Sequence, residues 1–171
     1  GMEHQSCIAY GNKYLNGYSG FDYSGAGIKF DYIIIHESAH EWWGNAITTK
    51  DIADMWVHEG FASYAEVLYT ECIYDSAKAG EYVIGQFKKI GNRKPIIGPY
   101  GVNTEGSGDM YPKGLALLHT LRHVINKDSA WFAILKGLQD EFRYQTVTSA
   151  QIESYISKQA GRNLGRVFDQ Y

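Results

Sequence analysis

His36 and His40 stand four residues apart, with Glu37 directly after the first, in the order His36-Glu37-Ser38-Ala39-His40. Four residues is just over one turn of an α-helix, so on a helix both imidazoles leave the same face within reach of one ion. Zinc takes nitrogen ligands at about 2.0–2.1 Å in tetrahedral geometry, which two such histidines can supply. A carboxylate beside that face can take a proton from a zinc-bound water. A catalytic zinc needs three protein ligands and an open position for water. Glu59, in Trp56-Val57-His58-Glu59-Gly60-Phe61-Ala62, is the candidate for the third. Glu66 falls seven residues on, on nearly the same helical face. It suits either a hydrogen bond to the outer nitrogen of a ligand histidine or a solvated core rim.

These side chains need two helices to present them. Asp31 is a suitable N-cap, and Tyr32, Ile35, Ala39 and Trp43 recur at helical spacing up to Gly44-Asn45. A second helix is expected from Asp51 or Asp54 to about Tyr74, and a third from Ser76 to about Ile90. Residues 91–109 lack a periodic pattern and read as a functional lip. Pro112 suits the first turn of a helix running to about Asn126, and further helices are expected near 129–142 and 148–160. Residues 1–30 read as a small β portion, with a strand at Cys7-Ile8-Ala9-Tyr10 and a loop from Gly17 to Gly27. The expected fold is α+β and predominantly helical, a single domain over 1–171 with its helical body at about 31–160.

The sequence of this second helix and the first helix's tail carry a resemblance. His36-Glu37-Ser38-Ala39-His40-Glu41-Trp42-Trp43-Gly44-Asn45, with Glu59 after eighteen intervening residues, resembles the gluzincin signature of the M1 zinc aminopeptidases, the group of aminopeptidase N and leukotriene A4 hydrolase. Thermolysin-type enzymes share the ligand set but space the last glutamate differently. The resemblance implies a thermolysin-like zincin catalytic domain, one Zn2+ per chain and a peptide substrate with a free N-terminus. Tyr111-Pro112-Lys113-Gly114 resembles the family's Tyr-x-Lys-Gly, which implies that Tyr111 stabilises an oxyanion. Gly1-Met2-Glu3-His4 resembles its G-x-M-E-N segment, which implies that Glu3 binds the substrate amine while the Gly1 and Met2 backbone aligns the peptide. His4 stands where that segment carries Asn. The family's β-rich domain before this region and helical domain after it imply a catalytic domain excised from a longer chain.

Composition narrows the partners. The chain is 44% hydrophobic and 20% charged, as expected of a soluble globular protein. A net charge of −3 argues against nucleic acid or an anionic membrane. No stretch is long and apolar enough to cross a bilayer. Aromatic residues make up 15%, including 14 Tyr, which hints at a binding groove. Cys7 and Cys72 are isolated and expected to be buried fillers. His119 and His123 form a second i,i+4 pair, but no glutamate follows the first, so they are read as structural; so is His58. Arg93 and Lys94 are read as solvated loop charges. Two further function classes remain: a zinc-binding module without catalysis, and a related hydrolase acting on epoxides. The presence of both Glu37 and Tyr111 argues against inherited inactivity.

Overall fold

A computed structural model describes residues 1–171. Asp31 caps the first helix, α1 (Tyr32–Ala39), by accepting the Ile33 N–H. The helix ends short of Gly44-Asn45. His40 to Ala46 instead form a tight turn closed by Asn45 N–H to His40 C=O at 2.9 Å and Gly44 N–H to Ile47 C=O at 2.8 Å. Gly44 sits there at φ +138, a conformation that L side chains avoid. The turn delivers the chain to β1 (Ile47–Thr49) and, through a short 3₁₀ turn at Ile52–Asp54, to α2 (Trp56–Ile73).

Helix α2 is the buried axis. Trp56, Val57, Phe61, Tyr64 and Val67 are all at most 2% exposed, and α1, α3 (Ser76–Phe87) and α4 (Pro112–Ile125) pack around it. The α2/α4 crossing is set by two glycines. A Cβ on Gly114 would fall 2.7 Å from the Gly60 Cα, and one on Gly60 would fall 3.0 Å from the Gly114 Cα. The missing side chains let the two backbones touch. Helices α5 (Asp128–Phe142) and α6 (Ser149–Gln159) add Trp131, Leu138, Ile152 and Ile156 to the core, and a short α7 (Gly165–Phe168) follows. Thr148 and Gln151 form a capping box at the start of α6.

The sheet has two strands. β1 pairs in parallel with β2 (Gln145–Val147), Ile47 opposite Gln145 and Thr49 opposite Val147. The architecture is therefore α+β and predominantly helical, but the sheet lies elsewhere than in residues 1–30. That segment holds only isolated bridges, Met2 with Ala9 and Tyr18 with Phe21. Its side chains take the hydrogen bonds a strand would need. Asp22 accepts the Ser24, Gly27 and Ile28 N–H groups, and Asn12 bonds Leu15, Gly17 and Ser19. Positive φ angles at Ser6, Lys13, Tyr14 and Ser19 break the extended run as well.

The loop 91–109 lacks regular structure until a 3₁₀ turn at Gly108–Met110. Asp109 accepts the Gly91 and Asn92 N–H groups, closing the loop on itself. Tyr100 donates to the fully buried Asp54 at 2.7 Å, and Ser149 donates to the same oxygen while accepting from Trp56 Nε1. Loop, α2 and α6 meet at that carboxylate. Cys7 and Cys72 are both exposed, not buried fillers. No helix is long and apolar enough to cross a membrane.

Candidate metal centre

Helices α1 and α2 bring three donor atoms together. His36 Nε2 lies 3.0 Å from Glu59 Oε2, and His40 Nε2 lies 3.4 Å from the same oxygen. Ligands at about 2.0–2.1 Å around a tetrahedral ion stand about 3.3 Å from one another, so the spacing fits such an ion. His36, His40 and Glu59 also form a group of metal-type ligands within 4.8 Å.

The outer nitrogens of both histidines are engaged. His36 Nδ1 is 2.8 Å from Glu66 Oε1, and His40 Nδ1 is 2.9 Å from the Trp43 carbonyl. With the outer nitrogens engaged in this way, both Nε2 atoms face Glu59. Two ring nitrogens and a carboxylate oxygen converging in a buried place are balanced by a proton or a metal cation held among them. Burial works against charge on His36, but Glu59 and Glu66 outweigh it and raise its pKa to about 10. Burial works against charge on Glu59 too, and His36 and His40 override it, lowering that pKa to about 2. The carboxylates that favour a proton on His36 favour a divalent ion in its place, and binding that ion would release the proton.

Glu37 lies beside this triad, 5% exposed. Its Oε2 is buried with no hydrogen-bond partner. An orphaned carboxylate oxygen at the edge of a cationic donor set is an acceptor awaiting a water or a ligand. The Gly1 nitrogen is 3.5 Å from its other oxygen, and Glu3, Glu37 and His40 form a second group of ligand atoms within 4.8 Å. Tyr111, just before α4, stacks on His36 with ring centroids 6.0 Å apart. Burial and the Glu59 carboxylate push its phenol well above the usual range, so it stays a donor. These residues line one cleft of about 580 Å³.

Four contacts have no counterpart in the sequence motifs. The Trp43 carbonyl orients His40; an i,i+3 offset from a ligand histidine was the available signal. Asn45 Nδ2 donates to the Glu3 carbonyl at 3.1 Å, and Glu41 accepts the Ser6 N–H, so the turn after α1 holds the N-terminal segment at the cleft. Tyr82, on α3, holds the second oxygen of Glu66, and nothing local announced that pairing. The other histidines stay apart from the cleft. His58 accepts the Thr49 N–H at 3.0 Å and ties α2 to β1. His119 and His123 face each other at 3.0 Å with no third ligand completing them. Arg93 and Lys94 lie in the loop beside Lys113 and Gln170, outside the cleft.

Known proteins share this arrangement of sequence. The Peptidase family M1 domain model matches residues 1–171. Mouse aminopeptidase B is 24% identical over 139 residues, 72% of this chain and 21% of that protein. Lactococcus lactis aminopeptidase N is 26% identical over 155 residues, 81% of this chain and 18% of that protein. The chain therefore spans about a fifth of the length of these relatives. Among solved structures, an M1 zinc metallopeptidase from Deinococcus radiodurans superimposes with a TM-score of 0.69 at 25% identity, covering 81% of this chain and 31% of that one. Yeast LTA4 hydrolase in complex with bestatin gives a TM-score of 0.70 at 18% identity, covering 81% and 24%. The match over the whole chain places this protein in peptidase family M1.

Proposed function

We propose that this chain is the zinc-dependent catalytic unit of an aminopeptidase that removes the N-terminal residue of peptides. The observation that supports it most is the orphaned Glu37 oxygen next to a three-donor set whose outer nitrogens are both engaged. His36, His40 and Glu59 would hold one Zn2+, with Glu66 orienting His36. Bound there, zinc supplies Lewis acidity toward the scissile carbonyl and lowers the pKa of a water to near 7.

The protein's own groups do the rest. Glu37 takes the proton of the attacking water on its free Oε2 and passes it to the nitrogen of the leaving amine, so the proton count balances and the peptide C–N bond breaks. Tyr111 donates its O–H to the oxygen that gains charge during attack. Glu3 binds the substrate α-ammonium. The Met2 N–H and C=O are both paired with Ala9, and alternation along an extended segment turns the Gly1 and Glu3 backbone toward the other edge, where a peptide can lie as an added strand.

Elemental analysis of the purified protein beside Glu59→Ala tests the metal site, and hydrolysis of free against N-acetylated peptides tests the reaction. One zinc per chain, lost in the variant, with cleavage only of free N-termini is the expected result. Zinc retention by Glu59→Ala would remove Glu59 from the ligand set, and equal rates on acetylated peptides would remove Glu3 from its role. A zinc-loaded protein that cleaves neither peptide would point to a binding module, or to an epoxide hydrolase if an epoxide is opened instead.

A further inference from the structure

The cleft is charged unevenly. Glu3, Glu37, Glu59, Glu66 and Glu105 line it, against a single lysine or arginine, Lys89. Glu3 belongs to the His40 side, where it clusters with Glu37. Lys89 belongs to the other side. It follows the end of α3, the helix whose Tyr82 holds Glu66, and the carboxylates it senses are Glu66 and Asp22.

Neither carboxylate is free to pair with it. The oxygens of Glu66 are taken by His36 and Tyr82. Those of Asp22 are taken by the Ser24, Gly27 and Ile28 N–H groups. The ion pairs of lysine and arginine in this molecule involve Lys78 and Arg122 instead. What Lys89 does touch is the Tyr23 ring, with its ammonium 5.8 Å from the centroid. That ring steadies one side of the ammonium and accepts none of its three N–H groups conventionally. The side chain is exposed at the cleft mouth, and partial desolvation there lowers its pKa against the pull of Glu66 and Asp22. Tyr18 and Tyr32, stacked 6.4 Å apart, form the wall beside it.

We propose that Lys89 binds a substrate carboxylate on the leaving-group side of the cleft, making short peptides with a carboxylate soon after the scissile bond the preferred substrate class. This deepens the aminopeptidase reading and rests on it for the placement of the substrate amine at Glu3. A peptide held this way has its ammonium among the glutamates and its carboxylate at the one lysine, so both ends are recognised by opposite charge. The carboxylate can be a peptide C-terminus or an acidic side chain, and the two are separable by experiment.

Calorimetric binding to the zinc-loaded Glu37→Gln protein, which should hold peptides without cleaving them, provides the test. The probes are Ala-Ala-Ala as the free acid, Ala-Ala-Ala amide and Ala-Asp amide. The free acid should bind about two- to fivefold tighter than its amide, as expected for one charge-assisted contact at a solvent-exposed lysine. Lys89→Met should abolish that preference and Lys89→Arg should restore it. Tight binding of Ala-Asp amide would assign the carboxylate to a side chain, and weak binding would assign it to the C-terminus. Equal binding of acid and amide would overturn the role of Lys89 and leave the aminopeptidase reading standing. Binding of no peptide would overturn both. A Lys89-dependent preference for the acid, with no cleavage by the protein that retains Glu37, would support Lys89 and sink the aminopeptidase reading.

Discussion

Glu66 Oε1 lies 2.8 Å from His36 Nδ1, joining residues 30 positions apart, while Tyr82 holds the other oxygen of the same carboxylate. This pairing fixes the His36 ring and its tautomer from behind. Partners of this kind are worth about 10–100-fold in metal affinity. Glu66→Gln should therefore weaken zinc binding by about that factor, read by competition with a chelator. Tyr82→Phe should have a smaller effect in the same direction. Unchanged affinity in Glu66→Gln would reduce Glu66 to a buried polar residue with no bearing on the metal.

Tyr111 faces the same donor set from the start of α4. In Tyr111→Phe the turnover number should fall by about 10²–10³ while KM and zinc content hold, as for the loss of one oxyanion donor. Its raised pKa adds a second expectation. An ordinary tyrosine ionises near pH 10, roughly, so wild-type turnover should pass that point without a loss traceable to Tyr111. A rise in KM with kcat unchanged would instead indicate a substrate-binding role.

The Gly60–Gly114 contact predicts a sharp contrast between two glycine substitutions. Gly114→Ala places a methyl 2.7 Å from the Gly60 Cα. It should cost about 1–3 kcal/mol of stability by overpacking and also weaken zinc binding, because the helices it parts carry Glu59 and Tyr111. Gly80, inside α3, has open space where a Cβ would stand. Gly80→Ala should be neutral or stabilise by up to about 1 kcal/mol. Denaturant unfolding of both variants checks the pair, and equal effects would show that the crossing is not set by glycine contact.

His58 supplies a pH dependence of known sign. Burial, then the nearby His40, lowers its pKa to about 4 from the usual 6.5. The folded protein thus binds fewer protons than the unfolded chain between those values, so stability is fully present above pH 6.5 and declines as pH falls toward 4. At about 1.4 kcal/mol per unit the contribution is of the order of 3 kcal/mol. Unfolding free energies at pH 7 and pH 5 should differ less in His58→Gln than in the wild type. A difference equal in both proteins would show that His58 titrates normally.

Much of the site can be read along the chain because it depends on short-range geometry. The His36–His40 offset places two rings on one helical face whatever the helix packs against. Asp31 caps α1, Pro112 opens α4, and α2, α3, α5 and α6 fall within a few residues of their expected bounds, since caps and 3.6-residue periodicity act over one or two turns.

Tertiary structure decided what crosses between elements. The β1–β2 pairing joins residues nearly a hundred positions apart, and neither three-residue strand has a pattern long enough to announce itself. The lone bridges of residues 1–30 reflect side chains of Asn12 and Asp22 capturing backbone C=O and N–H groups, a choice that local propensity does not settle. Glu59 and Glu66 reach His36 because α1 packs against α2, and α4, which Tyr111 precedes, comes close to α2 where Gly60 and Gly114 meet. The physical reason is that a helix fixes which side chains share a face, whereas the distance and angle between two helices depend on the volumes meeting at their crossing. The identity of the donors was written in the chain; their convergence on one point was made by the packing.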